Sequence, residues 1–228
     1  MLDSAREFTF PVNADPTQSL SLRDRLIDSF DQCLRTVAPG AKTARRPSPA
    51  ENLTAPQLDA RQRRHSAGLI RVNHTGEVCA QALYLGQGLA IRNQELKRSF
   101  YDAAAEERDH LLWCAERLQQ LESRPSLLNP AWFVGSATIG LVASAFSDAS
   151  NLGFVEETER QVCAHLDRHL AVLSQQDAPS RAIVIAMRAD EERHAADAKR
   201  LGAKSLPRPM RRIMALQARV MTTLAYWI

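Results

Sequence analysis

An all-α bundle is the fold class this sequence predicts, and three observations carry that reading. Ala, Leu, Arg, Gln and Glu dominate the chain, and all are good helix formers. Four long stretches between residues 60 and 201 repeat apolar side chains at threes and fours, the period of a helix with one buried face. Aromatic residues make up only 6%, too few for an aromatic-rich β-sandwich.

The length, 228 residues, suits one medium domain or one domain with a tail. An apolar fraction of 45% against 24% charged excludes a wholly disordered chain. The net charge of +3 is too mild to call for nucleic acid, so no nucleic-acid partner is expected. Of the 29 basic residues only Lys42, Lys97, Lys199 and Lys204 are lysine. One basic cluster, Lys42, Arg45, Arg46, Arg61, Arg63 and Arg64, reads as a solvated face. A second, Arg208, Arg211, Arg212 and Arg219, is suited to an anionic membrane surface. Cys33, Cys79, Cys114 and Cys163 form no C-x-x-C pair, which points to a reducing compartment. The stretch Met1–Glu7 lacks the apolar run of a secretory leader.

In chain order, residues 1–19 read as a loose arm and Leu20–Val37 as a short amphipathic helix. Ala38–Pro56 reads as a linker, broken by Pro39-Gly40, Pro47, Pro49 and Pro56. These form an N-terminal region, 1–58, ahead of the main domain, 59–228. In that domain one helix is expected from near Ala60 to Asn93, loosened at Gly76, and a second from near Gln94 to Ser123, ended by Arg124-Pro125-Ser126. A third is expected over Asn151–Ser174 and a fourth over Ser180–Leu201, stopped by Gly202, Pro207 and Pro209. A last amphipathic helix covers Met210–Trp227. Between the second and third helices, Pro125–Ser147 runs 23 residues without a charge. That length permits a membrane span, but Pro130, Gly135, Gly140 and the Ser/Thr residues weaken it. A hairpin or short helix at a bundle end is expected instead, packed on the domain or, through residues 127–146, dipping into a lipid interface. A buried core helix is the plainer reading.

Two Glu-x-x-His motifs carry the chemistry: Glu107-Arg108-Asp109-His110 and Glu191-Glu192-Arg193-His194. Thirteen Glu and six His predict fewer than one such pair by chance. Residues i and i+3 share a helix face, so a carboxylate and an imidazole there can address one metal ion. Both motifs lie on apolar seams. Phe100, Ala103, Glu107, His110 and Cys114 recur by threes and fours, as do Val184, Met187, Glu191, His194 and Ala198. Glu106 and Glu192 fall on the opposite, solvated faces. The helix before each motif helix adds an inward Glu. In the first it is Glu77, on the stripe Ile70, Asn73, Glu77, Tyr84. In the third the candidates are Glu156, Glu157 and Glu159, and the stripe Leu152, Val155, Glu159, Val162, Leu166 selects Glu159. Spacing agrees: Glu77 to Glu107 is 30 residues and Glu159 to Glu191 is 32. One helical hairpin is thus used twice, joined by the apolar segment. One Glu from each of two helices plus Glu-x-x-His from each of two others is the ligand set of ferritin-like di-iron or di-manganese bundles. Four buried carboxylates without metal would be heavily penalised, whereas two divalent ions neutralise them. The donor types suit iron or manganese better than structural zinc. The rival is a set of surface ion pairs.

Arg71-Val72-Asn73-His74-Thr75-Gly76-Glu77-Val78, Glu106-Glu107-Arg108-Asp109-His110-Leu111, Glu157-Thr158-Glu159 and Asp190-Glu191-Glu192-Arg193-His194 together resemble the demethoxyubiquinone hydroxylase family in its bacterial form. The resemblance runs from about Leu20 to the C-terminus. It implies a ferritin-like di-iron monooxygenase that uses O2 to hydroxylate the ring of a polyprenyl methoxy-methyl-benzoquinol in ubiquinone biosynthesis. It also implies two iron ions per chain, with Glu77, Glu107, His110, Glu159, Glu191 and His194 as ligands and Glu107 and Glu191 bridging. The water-insoluble tail implies contact with the membrane lipid surface, as a peripheral protein on the cytoplasmic side of the cell membrane. No Gly-rich dinucleotide loop is present, so electrons would come through a reductase, other ubiquinone-biosynthesis proteins or the quinol itself. Two rivals are a ferroxidase on the same ligands and a non-enzymatic helical membrane scaffold. Of the remaining residues, His74 and His165 read as hydrogen-bond partners of ligating carboxylates or as structural histidines. His65 reads as solvent-facing, Tyr84 as core or channel lining, and Cys79, Cys114 and Cys163 as small core residues.

Overall fold

The computed structural model describes residues 44–54, 57–91 and 93–228. The expected N-terminal arm, the helix over Leu20–Val37 and Cys33 lie outside the described residues. Six α-helices and no strand occur among those described: α1 (Ala60–Ala90), α2 (Gln94–Gln120), α3 (Asn129–Ser144), α4 (Asp148–Val172), α5 (Ala178–Arg200) and α6 (Arg208–Trp227). Five of these lie within three residues of the expected bounds. The exception to expectation inside them is Gly76, where α1 runs on as unbroken helix.

Local chemistry sets the ends. Asp59 caps α1 in a capping box with Gln62, satisfying otherwise unpaired backbone N–H groups. Ser147 caps α4, and Asp177 caps α5 ahead of Pro179. Gly202 (φ 101°) closes α5, and Ala203 N–H returns to Ala198 O at 3.1 Å. Asp177 does more than cap. Together with Ser180 it binds the fully enclosed Arg117 guanidinium, at 2.7 and 2.9 Å, which keeps both buried charges paired.

Four helices, α1, α2, α4 and α5, share two apolar clusters at opposite ends of a bundle. One contains Ile70, Cys114, Leu118, Leu166, Ile183 and Met187. The other contains Tyr84, Phe100, Leu152, Val155 and Ala198. Read from cluster to cluster, α1 and α5 run one way while α2 and α4 run the other. Chain leaving α2 therefore emerges at the end opposite to where α4 begins. The connection must travel the length of the bundle, and α3, at about 1.5 Å per residue, does so. The expected placement of this segment at a bundle end is thus corrected: α3 lies alongside α1. Thr75 Oγ1 bonds Asn129 Oδ1 at one end (3.0 Å). Phe133 packs on Val78 and Ala82 in the middle. Gly86 and Gly140 let the two backbones meet further along. Only Asn129, Phe133 and Gly140 of α3 are buried, so it is not a core helix either. No helix among the described residues is long and apolar enough to cross a membrane.

The expected linker also differs. Residues 44–54 lie against the bundle, with Ala50 buried in the first apolar cluster.

Candidate metal centre

Between the two apolar clusters lies a layer of acid and imidazole. Each helix of the bundle passes from one cluster to the other through it, and each leaves one or two polar residues there. Glu77, Glu107, His110 and Glu191 form one group of donor atoms within 4.8 Å of one another. Glu107, Glu159, Glu191 and His194 form a second. All six residues read from the sequence are therefore brought together and buried, and Glu107 and Glu191 belong to both groups. Of the three acids in α4, Glu159 joins the layer. Glu157 faces Arg160 and Gln161 instead, at 2.7 Å each.

The imidazoles test whether this layer suits a metal ion. His110 Nδ1 faces Glu107, Glu191 and Glu77 oxygens at 3.2, 3.3 and 3.5 Å. His194 Nδ1 faces Glu107 and Glu191 oxygens at 3.1 and 3.2 Å. One N–H serves one acceptor, whereas a cation serves all of them. Glu77 Oε2 and Glu107 Oε1 are in fact left without a hydrogen-bond partner. The other imidazole nitrogen is occupied in each case. His110 Nε2–H donates to Asp190 at 2.9 Å, and His194 Nε2–H to Glu106 at 2.9 Å. Once an imidazole gives up its Nδ1 proton, that tautomer leaves the Nδ1 lone pair aimed into the layer, the arrangement that metal-binding histidines need. The residues present fit a pair of divalent ions.

Glu106 corrects the sequence reading, which placed it on the solvated face with Glu192. It is half-buried and reaches across to the histidine of α5, while Asp190 reaches back to the histidine of α2. The signal was available, since each Glu-x-x-His is preceded by an acid. Arg193 joins the two outer acids, bonding Asp190 at 2.8 Å and Glu106. Arg46 is a second correction: it is ion-paired and half-buried rather than free on a solvated face. It bonds Asp190 (2.8 Å) and Asp109 (3.2 Å) and lies over the Trp113 ring, which ties residues 44–54 to the back of His110.

Charge in the layer is balanced by protons when no metal is present. Burial, then the neighbouring Glu107, pushes Glu77 well above the usual carboxylate range. Burial, then Glu191 and Glu107, does the same to Glu159. Burial also opposes charge on Glu107, but in the metal-free chain the surrounding acids keep His110 and His194 protonated on Nδ1 as well, and the hydrogen bonds they donate outweigh burial and hold Glu107 well below its usual value. Metal must displace protons from such a site.

The same bundle occurs in proteins already known. A solved structure of the bacterioferritin-related protein of Bacteroides fragilis, described as a dodecameric thioferritin, superposes with a TM-score of 0.50 at 21% identity. It covers 63% of this chain and 85% of that one, and it shows the ferritin-like fold. The family described as "Ubiquinone biosynthesis protein COQ7" matches residues 64–225. The chain belongs to the COQ7 family. Relatives named 3-demethoxyubiquinol 3-hydroxylase include one from Ralstonia pickettii, 52% identical over 90% of this chain and 99% of its own length. One from Bordetella parapertussis is 54% identical over 90% and 92%. One from Xanthomonas euvesicatoria is 50% identical over 92% and 97%.

In this COQ7-family chain the layer of acid and imidazole opens into a cavity of about 1730 Å³ between α1, α3, α4 and α6. Glu77, Glu159 and Glu191 lie on its wall, which is otherwise mostly apolar. Besides Glu77, four side chains of that wall carry buried polar atoms with no partner: Asn73, Trp132 (Nε1), His165 (Nε2) and His169 (Nδ1). The remaining sequence candidates are structural or peripheral. His74 Nδ1 accepts from Asn129 at 3.3 Å and so anchors α3 rather than a ligand. His65 Nδ1 lies 2.7 Å from the Tyr226 hydroxyl, so it pins α6 and is not solvent-facing. Tyr84 is core, yet its hydroxyl donates to Glu159 at 2.7 Å. Cys114 is enclosed beside Met187, while Cys79 lines the cavity.

Burial, then His165, Arg168 and His65, pushes His169 down to about 2. An unfolded histidine titrates near 6.5, so below that pH the unfolded chain binds a proton that the folded chain refuses. This contribution to stability is present above pH 6.5 and is lost as pH falls. Urea unfolding of the wild type and His169→Leu at pH 7 and pH 5 checks it. Acid should weaken the wild type more than the variant, by roughly 1–2 kcal/mol.

Proposed function

We propose that this chain is a di-iron 3-demethoxyubiquinol hydroxylase of ubiquinone biosynthesis, using O2 as co-substrate. One observation carries the reading: two overlapping four-donor groups open, through Glu77, Glu159 and Glu191, onto the wall of a large and mostly apolar cavity. Glu77 and His110 would hold one ion and Glu159 and His194 the other, with Glu107 and Glu191 shared. A reduced iron pair supplies, when bound, the electrons and oxygen activation that no side chain can provide.

The chain's own residues do the rest. Asp190 and Glu106 fix the two imidazoles with their lone pairs inward. The Tyr84 hydroxyl holds one Glu159 oxygen. The cavity wall offers a mostly apolar surface to a benzoquinol ring with its prenyl tail. A hydroxylase fits this cavity better than a ferroxidase does, since a metal ion has no use for an apolar chamber of this size. The relatives' names favour the hydroxylase as well.

The tail must reach the cavity from lipid, and two cavity-lining helices suit that step. On α6, Ile213, Leu216, Val220, Leu224 and Trp227 are exposed beside Arg208, Arg211, Arg212 and Arg219. On α3, Val134, Leu141 and Val142 are exposed. This pattern supports peripheral attachment to the cytoplasmic face of the cell membrane. Electrons would come from a reductase, from other ubiquinone-biosynthesis proteins or from the quinol.

Two measurements test the reading. Iron analysis after anaerobic loading should give two ions per chain, whereas a scaffold holds none in fixed ratio. Vesicles of anionic lipid containing quinone should sediment the protein, and a protein that stays wholly in solution would contradict membrane attachment.

A further inference from the structure

Asn73 is the strangest residue on the cavity wall. It sits one turn before Glu77 on α1, only 3% exposed, and neither end of its amide has a hydrogen-bond partner. A buried amide left unpaired works against the fold, so its presence calls for a partner that the folded chain does not itself supply. Gly76 is the second oddity. It lies mid-helix, where glycine costs about 1 kcal/mol relative to alanine. Close packing does not demand it, because a Cβ built there meets nothing within 4 Å. Two other glycines of α1 serve contact, Gly68 under the Tyr226 ring and Gly86 against the α3 backbone, while Gly88, open like Gly76, does not line the cavity. Asn73, Gly76, Glu77 and Ala80 all line the cavity and, at i, i+3, i+4 and i+7, share one face of α1. An open floor is thus flanked by an amide on one side and by the metal layer on the other.

We propose that Asn73 and Gly76 form the seat of the substrate ring, Asn73 being the residue that recognises its methoxy group. This inference rests on the hydroxylase reading given above. The substrate ring of a methoxy-methyl-benzoquinol carries its methoxy group next to a hydroxyl. A side-chain amide matches that pair, with Nδ2–H donating to the methoxy oxygen and Oδ1 accepting from the hydroxyl. Gly76 leaves the ring free to lie against the helix backbone, which brings its unsubstituted carbon beside the Glu77 end of the layer. Trp132, His165 and His169 carry single unpartnered nitrogens. Asn73 alone of these four offers both a donor and an acceptor.

The test measures anaerobic binding of two short-tailed quinols to the iron-loaded full chain. One is 2-prenyl-3-methyl-6-methoxy-1,4-benzoquinol, and the other has hydrogen in place of the methoxy group. Wild type should bind the methoxy compound roughly tenfold or more tighter, because only that compound gives the otherwise unpaired Nδ2–H an acceptor, while the hydroxyl bond to Oδ1 is common to both. Asn73→Leu should erase that preference and keep two irons and the same optical spectrum. Its melting temperature should be unchanged or raised, because an unpaired buried amide has been removed. Gly76→Leu should fold at least as stably and weaken both compounds alike, by tenfold or more. An Asn73→Leu protein that retains the methoxy preference, or that loses iron, overturns the proposal, as does a Gly76→Leu protein that binds both compounds like wild type. If wild type itself binds neither compound, the hydroxylase reading fails and this inference fails with it, a result distinct from the others.

Discussion

Glu191→Ala should abolish quinol hydroxylation. Glu191 contributes to both donor groups, so its loss reduces each from four residues to three. It also removes an oxygen facing each imidazole Nδ1, at 3.3 Å from His110 and 3.2 Å from His194. Changes in residues that merely support a metal ligand typically weaken binding or activity by 10- to 100-fold. Loss of a shared ligand should exceed that, by roughly a hundredfold or more. The fold should survive, because one of four crowded buried carboxylates is removed and the apolar clusters on either side are untouched. In cells that rely on this chain, chromatography of the quinones should show the demethoxy precursor accumulating in place of ubiquinone. Normal quinone content in cells carrying only the variant would contradict the ligand assignment.

Gly140→Val should be strongly damaging although it lies outside the donor layer. A Cβ at residue 140 would stand 2.4 Å from the Leu83 carbonyl oxygen. That neighbour is helix backbone and has no rotamer by which to move aside. Gly86 faces the same crossing from the other helix, 2.3 Å from the Ala137 oxygen. The two helices must separate, and overpacking of this kind costs about 1–3 kcal/mol, more where backbone is involved. In a chain of this length each kcal/mol lowers the melting temperature by about 2–4 °C. A fall of roughly 5–10 °C is expected. The second consequence is functional, because α3 forms one wall of the cavity through Ala131, Trp132, Ser136 and Ile139. The variant should keep its metal and lose affinity for the quinol. Gly88→Ala is the control: nothing lies within 4 Å of its Cβ, so it should be neutral or slightly stabilising. Calorimetry and a quinol titration of the two variants check both parts.

Much of this architecture was legible in the sequence because the four motif helices carry unbroken apolar stripes. The same periodicity that marks Phe100 and Cys114 as core marks Glu107 and His110 as inward, and it selects Glu159 over Glu156 and Glu157. What periodicity within one helix misses is contact between helices. Glu106 lies off the seam of its own helix, yet it meets His194, 88 residues away. Arg46 sits in a proline-rich stretch with no period, and its partner Asp109 is 63 residues distant. The course of α3 was hidden for a similar reason. Its apolar composition shows that it is buried or lipid-facing, but its placement along α1 follows only once α2 and α4 are known to run in the same direction. The unpaired amide of Asn73 likewise needs the completed cavity, since in sequence it is one more polar residue on an inward stripe.

On the proposed function, six buried side chains of this bundle hold two irons that would hydroxylate a quinol with O2. Turnover of iron-loaded protein on demethoxyubiquinol under 18O2, read by mass spectrometry of the product, tests it most directly. One 18O atom is expected in the new ring hydroxyl, with two irons per chain and no product from the iron-free protein. Product carrying only oxygen from water, or equal turnover with and without iron, would contradict it.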